Sequence, residues 1–291
     1  WRAKVVGGFV SGLFLWESCC IPSLLYNAGS WLDMPKEAEK RLDALQTWFF
    51  SMLLRQGKGV PSGAILWELA ALSMGRRVWR EKLCLSLQIA RLGEETLARQ
   101  VWEEQQVFQW PGLAMEAEHI AKELEVESVN TTELSKKEYR DSVTEACHRY
   151  DEKMLKGKME GKKKCEKIVS EEYGRKSYFE KLIPGEVRDY FSTRVMMLPL
   201  AGNFGRDNRF RRTGWLCLCG QREEQEHIIR HCKKYDDIRE KYSDLSSDTD
   251  LVMFFREVLE KRDRVRQEEE KEEKERRRRE EEEKEEMGEE D

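Results

Sequence analysis

Apolar side chains recur at helical spacing through most of the first 110 residues. Trp79, Leu83, Leu87 and Ala90 lie three or four positions apart, which places them on one face of a helix. Three further sets share this kind of spacing: Leu42, Leu45, Phe49 and Met52; Leu66, Leu69 and Ala70; and Leu97, Val101 and Phe108. No stretch alternates strictly between apolar and polar positions. The pattern therefore predicts a helical bundle over residues 1–110.

The apolar opening of the chain predicts a buried helix. Residues 5–16 and 18–32 are uncharged, and Glu17 lies between them. A membrane span needs about 20 apolar residues with few charges, but Glu17, several glycines and Pro22 interrupt this run. We predict no membrane partner, and a membrane-anchored adaptor is the least favoured alternative. Because the chain begins at Trp1, we expect it to be a fragment, a processed product or an incomplete reading frame.

Residues 111–180 are polar and have only a thin apolar stripe. Between Lys136 and Lys167 there are 11 basic and 7 acidic side chains. Tyr139, Val143 and a few later apolar positions are too sparse for a helix that faces a core. The pattern predicts an exposed helical linker.

Charged residues are concentrated near the C-terminus. Residues 246–291 are predicted to form a charged, low-complexity tail. From Glu260 to Asp291 there are 17 acidic and 11 basic side chains, a net charge of −6, whereas the whole chain carries −5. The rest of the chain is thus almost neutral. Opposite charges recur four residues apart, as in Glu273–Arg277 and Arg276–Glu280, a spacing that supports a solvated helix. We predict a single helix or disorder, and no coiled coil by itself, because no apolar seam is present.

The most specific chemical signal is a cluster of cysteines and a histidine. It consists of Cys217, Cys219, His227 and Cys232. Three thiolates and one imidazole form a standard tetrahedral zinc shell. Gly220 allows the backbone to turn after the second cysteine. His231 is a rival ligand, and we favour Cys232 because a third sulfur completes the set; the alternative to a metal site is a chance grouping of free cysteines.

A basic and aromatic segment precedes this cluster. Residues 188–212 carry six Arg against two Asp, with aromatic side chains among them. Arginine suits phosphate contacts and aromatic rings stack on unpaired bases. The candidate nucleic-acid-binding residues are Arg194, Phe204, Arg206, Arg209, Phe210, Arg211 and Arg212. We predict RNA or DNA as the partner, single-stranded or as a template-primer, and no small-molecule substrate; an ordinary solvated face is the alternative.

Other candidate chemistry points away from an enzyme. Asp236-Asp237 follows Tyr235 but lacks the flanking apolar strands of a polymerase metal site, and Gly57-Lys58-Gly59 is too short for a phosphate-binding loop. We therefore predict binding and not catalysis. The eight cysteines are scattered through a long chain, which excludes a small disulfide scaffold and favours a reducing compartment, nuclear or cytoplasmic.

Several of these segments together resemble one known family. Leu24–Trp31 looks like the tyrosine, small-residue and tryptophan motif that follows the polymerase palm in LINE-type, non-LTR retrotransposon reverse transcriptases. Residues 42–108 resemble the helical thumb and connection that come next. Residues 194–239 are similar to the C-terminal Cys-Cys-His-Cys knuckle, with its trailing Tyr235 and Arg239. Asn27 stands where the motif often has glycine.

The resemblance implies an origin in an RNA-directed DNA polymerase. It also implies no polymerase activity for this chain, since the family's fingers and palm, with the catalytic aspartates, have no counterpart in it. No endonuclease is recognisable in this chain either.

Together these patterns predict a mostly α protein made of a helical bundle, a small zinc-knuckle module and a charged helical or disordered tail. The predicted parts are a thumb-like bundle at 1–110, a polar helical linker at 111–180, a zinc-binding nucleic-acid module at 181–245 and the tail at 246–291. The expected function is nucleic-acid binding by the C-terminal region of a reverse transcriptase. The alternative is a degenerate retroelement-derived scaffold that mediates protein interactions.

Overall fold

The computed structural model describes residues 8–56, 59–200, 216–242 and 244–288, with backbone only for 283–288. Over these ranges the chain is mostly helical and has no strand; an isolated antiparallel bridge joins Leu216 to Arg222. The prediction of a mostly α fold is confirmed. The chain forms two compact units, Trp1–Val195 and Met196–Asp291.

The first unit is built from helices joined by short turns. Its helices are α1 (Gly8–Leu15), α2 (Ile21–Leu24), α3 (Lys36–Leu53), α4 (Ser62–Leu69), α5 (Met74–Ala90), α6 (Leu97–Phe108), α7 (Leu113–Leu124), α8 (Lys136–Met159), α9 (Glu166–Val169), α10 (Tyr178–Lys181) and α11 (Pro184–Arg194). A π-helical turn at Trp16–Cys20 joins α1 to α2, and 3-10 turns lie at Ala28–Ser30 and Lys163–Cys165. Extended prolines precede α3 and α4, and the Ser73 hydroxyl caps α5.

The core of this unit brings together helices that are distant in sequence. Leu83 and Leu87 of α5 lie in one buried cluster with Trp102 of α6, Ile120 of α7 and Val143 of α8. The predicted face of α5 is thus confirmed. The same cluster shows that residues 111–180 are not an exposed linker.

The linker prediction was wrong because α8 buries small and polar side chains as well as large apolar ones. Ala146 and Cys147 extend the stripe begun by Tyr139 and Val143, and all four are buried. Asp151 is also buried, and it accepts hydrogen bonds from the Ser73 backbone N–H (2.7 Å) and hydroxyl (3.0 Å). A polar side chain can be buried when its hydrogen bonds are satisfied.

Two predicted apolar faces point in other directions. The predicted face of α6 is exposed at Leu97, Val101 and Phe108, whereas Trp102 faces the core. On α3 the most buried positions are Gln46 and Phe50, and Leu54 just after the helix is also buried. Each helix also carries a large aromatic residue off the predicted face, Phe50 on α3 and Trp102 on α6, and it is this residue that faces the core.

The second unit contains α12 (Gln225–Arg230), a 3-10 turn at Lys233–Tyr235, α13 (Asp236–Arg239) and the 41-residue helix α14 (Asp248–Gly288). Its buried side chains come from the two short helices and from the start of the long one. Ile228 of α12 and Ile238 of α13 are buried, and so are Val252, Phe254 and Phe255 of α14.

The predicted boundaries of the module and the tail therefore move. Helix α11 belongs to the first unit, where Val187 and Phe191 are buried, so the second unit begins after Val195 and not at residue 181. The first turns of α14 are buried, so the segment from residue 246 is not all tail. Beyond Gln267 the described side chains of α14 are exposed, as predicted. Among the described residues, no helix is both long enough and apolar enough to cross a membrane.

Candidate metal centre

The cysteine-rich segment begins with a tight turn. The Cys217 N–H donates to the Gln221 carbonyl (2.7 Å), and the Gly220 N–H donates to the Cys217 carbonyl (2.8 Å). Gly220 has φ of +83°, a left-handed conformation that glycine adopts without a Cβ clash. The turn places the Cys217 and Cys219 side chains close together, as its spacing predicts.

Helix α12 supplies the other side of the site. It carries His227, and the Cys232 N–H donates to the His227 carbonyl (2.9 Å) just after the helix ends. This bond folds the chain back so that Cys232 lies near Cys217. His231 points elsewhere and is exposed, so the structure favours Cys232 over the rival histidine.

The four predicted ligand atoms converge. The Sγ atoms of Cys217 and Cys232 are 3.5 Å apart, and the Cys219 Sγ lies 3.1 Å from the His227 Nε2. All four ligand atoms lie within 4.8 Å of one another. Zinc bonds of about 2.3 Å to sulfur and about 2.0 Å to nitrogen place tetrahedral ligands roughly 3.5–3.8 Å apart. These residues could therefore hold one metal ion with only small movements.

Backbone amides face the three sulfurs. The N–H groups of Cys219, Gln221 and Lys234 are directed at the Sγ atoms of Cys217, Cys219 and Cys232 respectively. Hydrogen bonds to sulfur favour the thiolate, the form that binds metal. This arrangement would support a negatively charged ligand set.

Burial opposes ionisation at two of the sulfurs. Burial raises the pKa of Cys217 and raises that of Cys232 to about 12. Burial would also raise the pKa of the exposed Cys219, but the Gln221 N–H and the neighbouring thiols outweigh it and lower this pKa. A cation at the centre would relieve the repulsion between the thiolates.

The imidazole is held in its neutral form. Burial lowers the pKa of His227, and the nearby His231 and Arg239 lower it further. A neutral ring keeps a lone pair for a metal. The Nε2 atom faces Cys219, so this nitrogen would be the ligand atom in a metal complex.

Arg239 holds the ligand-bearing helix from outside the cluster. Its guanidinium donates to the carbonyls of Ile228 (2.9 Å), Ile229 (2.6 Å) and Cys232 (3.1 Å). These carbonyls lie at the end of α12, where backbone acceptors lack helical partners. Arg239 therefore fixes the segment between His227 and Cys232.

Tyr235 and Glu223 complete the surroundings of the cluster. Tyr235 is fully buried, and burial followed by the charges of Cys217, Glu223 and Cys232 raises its pKa far above the usual range. The buried Glu223 carboxylate pairs with Arg266 (3.1 Å) and Arg262 (3.5 Å) of α14. These ion pairs connect the surroundings of the four candidate ligands to the long helix α14.

The resemblance named Tyr235 and Arg239 only as residues that trail the knuckle, and Glu223 was not predicted as part of the site. Tyr235 lies three residues after Cys232 and Arg239 lies seven after it, so helical spacing after the last ligand was the available signal. Glu223 carried no local signal, because its partners are about 40 residues away.

Of the seven predicted nucleic-acid-binding residues, the structure describes Arg194. Phe204, Arg206, Arg209, Phe210, Arg211 and Arg212 lie outside the described residues. Arg194 is described, and its prediction was wrong. Its buried guanidinium pairs with Glu68 (2.6 Å) and Glu171 (2.7 Å), so its charge is used inside the first unit.

The Asp236-Asp237 pair has structural partners. Asp237 pairs with Lys261 of α14 (2.7 Å), and Asp236 pairs with Arg239. Both lie at the start of the short helix α13.

All eight cysteines are free thiols, including the five outside the cluster. In comparisons with protein families, curated proteins and solved structures, the chain has no match.

Proposed function

We propose that the second unit binds one Zn²⁺ ion and uses the folded knuckle to hold a basic segment against nucleic acid. The observation that carries the metal assignment is the convergence of three sulfurs and one imidazole nitrogen within 4.8 Å. Thiolate-rich tetrahedral sets select zinc among the common cellular metals. Four-ligand sites without an open position are structural, so the ion would stabilise the fold and not catalyse a reaction.

The basic segment supports a nucleic-acid partner. Arg206, Arg209, Arg211 and Arg212 precede the first ligand by 11 residues or fewer. Arginine forms bidentate hydrogen bonds with phosphate, and Phe204 and Phe210 offer rings for stacking. The resemblance to a reverse-transcriptase C-terminal region is the second support. We propose an intracellular protein, nuclear or cytoplasmic, in which this region binds RNA or DNA without polymerising it.

Metal content tests the first part. Purified protein should contain about one zinc per chain, and Cys219→Ser should remove it. Cys19→Ser removes an equally exposed thiol outside the cluster and should leave the zinc content unchanged. Loss of zinc in Cys232→Ala with retention in His231→Ala would establish the ligand choice. Equal zinc contents in all four variants would refute the site.

A salt series tests the second part. If four arginines each neutralise one phosphate of a single strand, the log-log salt slope of binding should be about −2.8, at about −0.7 per contact. Changing Arg206, Arg209, Arg211 and Arg212 to Ala should flatten this slope. The matched control changes Arg276–Arg279 to Ala, which removes the same charge from a helix rich in glutamate. Salt-insensitive binding in every variant would favour the scaffold alternative.

Primer extension on an RNA template tests the absence of catalysis. We expect no extension by the chain. Extension that is lost in Asp236→Ala plus Asp237→Ala would show that this aspartate pair supports polymerase activity, which would contradict the proposal.

A further inference from the structure

The first unit contains a cleft that the proposed function does not use. It lies between the Trp16–Ser30 segment, helix α5 and the start of α8, and has a volume of about 570 Å³. Small-molecule sites usually have volumes of about 300–1,000 Å³. Its lining includes a group of cations and apolar side chains such as Ile21 and Leu25.

The tyrosine-containing motif of the sequence forms the rim of this cleft. Ala28 is buried, and a Cβ added at Gly29 would meet the Glu81 carbonyl oxygen at 2.9 Å and the Leu85 Cβ at 3.0 Å. The small residues therefore let the 3-10 turn lie directly on α5. Asn27 has φ of +53°, which turns the chain sharply before that contact. Tyr26, just before the turn, is 81% exposed and lines the cleft.

The cations of the cleft are not fully neutralised. Four of them line it, Arg77, Arg80, Lys136 and Arg140, together with two carboxylates, Glu17 and Glu81. Arg77 is committed to Glu17 through two hydrogen bonds of 2.8 and 3.1 Å. The remaining three cations therefore share one carboxylate.

That sharing leaves a net positive charge at the mouth of the cleft. Arg80 and Arg140 both donate to the same oxygen of Glu81, Oε1, at 2.9 and 3.0 Å. Within the part of the chain that the structure describes, Lys136 forms no ion pair. Lys136 is exposed, and the Arg140 side chain is 46% exposed, so both can reach a ligand in the cleft.

We propose that this cleft binds a nucleotide, with its phosphate on Lys136, Arg80 and Arg140 and its base against the ring of Tyr26. Guanidinium groups match the geometry of phosphate oxygens, and an exposed ring beside them accepts a base by stacking. An acidic peptide would satisfy the cations but would leave the tyrosine ring unused. The site is separate from the arginines of residues 206–212 and goes beyond the function proposed for the second unit.

The bound nucleotide could be a free nucleotide in solution or one residue of a single strand, since both offer a phosphate and a base. The probes are therefore ATP and a labelled trinucleotide. Both are titrated into the full chain that carries the Arg206, Arg209, Arg211 and Arg212→Ala changes. This background removes the proposed basic segment, so failure there and failure here give different results.

We expect at least one probe to bind this background, and Lys136→Ala plus Arg140→Ala to weaken that binding at least ~10-fold, since hydrogen bonds to charged groups are the strong ones. The matched control is Lys40→Ala plus Arg41→Ala, two exposed cations on α3, which should leave the affinity unchanged. Binding of ATP would indicate a free nucleotide as ligand, and binding of the trinucleotide alone a strand. Absence of binding by both probes, or equal weakening in the control, would overturn the proposal.

Tyr26 gives an independent readout. Tyr26→Ala should weaken binding by roughly 5-fold or more, the loss of a stacked base, whereas Tyr26→Phe keeps the ring and should retain affinity. Equal affinity in all three proteins would refute the contact with the base and with it the nucleotide assignment. The side chains of Tyr26, Lys136 and Arg140 are exposed, so these changes are expected to leave the fold intact, which a thermal melt checks.

Discussion

Arg194 and Glu68 form a buried ion pair inside the first unit. Glu68 is fully buried, and both of its oxygens accept from the Arg194 guanidinium, at 2.6 and 2.9 Å. The Tyr178 hydroxyl donates to the same carboxylate at 2.9 Å. Glu171 pairs with the outer edge of the guanidinium. The buried charge is thus paired and hydrogen-bonded, which burial of a carboxylate requires.

Replacement of Arg194 tests this assignment at the residue scale. Arg194→Met leaves the Glu68 carboxylate buried without its cation, so we expect a loss of about 3–5 kcal/mol in unfolding free energy. Arg41→Met, on an exposed side chain, should cost less than about 0.5 kcal/mol. Denaturant unfolding measures both. If Arg194→Met unfolds like the native chain and instead flattens the salt slope of nucleic-acid binding, its role is phosphate contact after all.

At the scale of the element, close backbone approach determines where the motif of residues 24–31 lies. The 3-10 turn at Ala28–Ser30 reaches the backbone of α5 only because position 29 has no side chain. Gly12 in α1 has the same role toward Leu53 of α3, where an added Cβ would lie 2.5 Å from a methyl group. Small residues in this region serve packing, since a larger side chain would separate the helices.

Gly29→Ala tests this close approach. The new Cβ meets a backbone carbonyl that cannot move alone, so we expect a destabilisation of about 1–3 kcal/mol. Gly157→Ala is the matched control, because nothing lies within 4 Å of its Cβ position on the exposed side of α8. That change should stabilise the helix by about 0.5–1 kcal/mol. Opposite signs in thermal or denaturant unfolding are expected, and equal effects would contradict the packing argument.

Helix α14 depends on a different interaction along its exposed part. Arg276–Glu280 (3.6 Å), Arg278–Glu282 (3.3 Å) and Glu273–Arg277 lie at ion-pair distance, two of them as predicted from the sequence. Each pair is worth about 0.2–0.5 kcal/mol and is screened by salt. The exposed part of the helix has no core to support it.

The expected result is a salt-sensitive helix end. Glu280→Gln plus Glu282→Gln removes two pairs and should speed amide hydrogen exchange over residues 272–282, as high salt should in the native chain. Glu268→Gln plus Glu269→Gln removes the same charge but no ion pair within the described residues, and should have a smaller effect. Exchange rates that do not respond to salt would show that the pairs do not maintain the helix.

At the scale of the whole molecule, the two units gain stability from different sources. The first unit buries a core drawn from α5, α6, α7 and α8. Among the described residues, the second unit buries a smaller set of side chains, which includes Ile228, Tyr235 and Ile238, and a structural metal would contribute folding free energy there. The four candidate metal ligands all lie in the second unit.

Metal removal should therefore act on one unit. A chelator should abolish amide protection in α12 and at Cys232, while α5 and α8 remain protected. Cys219→Ser without chelator should reproduce the pattern. Hydrogen exchange followed by mass spectrometry measures both units in one sample. Loss of protection in both units, or in neither, would contradict a metal-dependent second unit.

The sequence alone predicted those features whose residues lie close to one another along the chain. The candidate ligand cluster spans 16 residues, so its spacing pointed to Cys217, Cys219, His227 and Cys232. Ligand type, a third sulfur that completes the set, favoured Cys232 over His231. The helical character of the chain and the charge pairs of α14 follow from periodicity within a few turns, which depends on neighbouring residues only.

Burial of charged and polar side chains was decided by partners far away in sequence. Arg194 looked like a phosphate contact in a basic segment, but its partner Glu68 is 126 residues away. Asp151 made α8 look solvated, yet Ser73, 78 residues earlier, satisfies its carboxylate. A sequence shows which side chains are charged, but only the folded chain shows which charges meet a partner. For this reason the tertiary structure alone determined that residues 111–180 belong to the core, that the apolar face of α6 points outward, and that Arg194 is an internal ion pair.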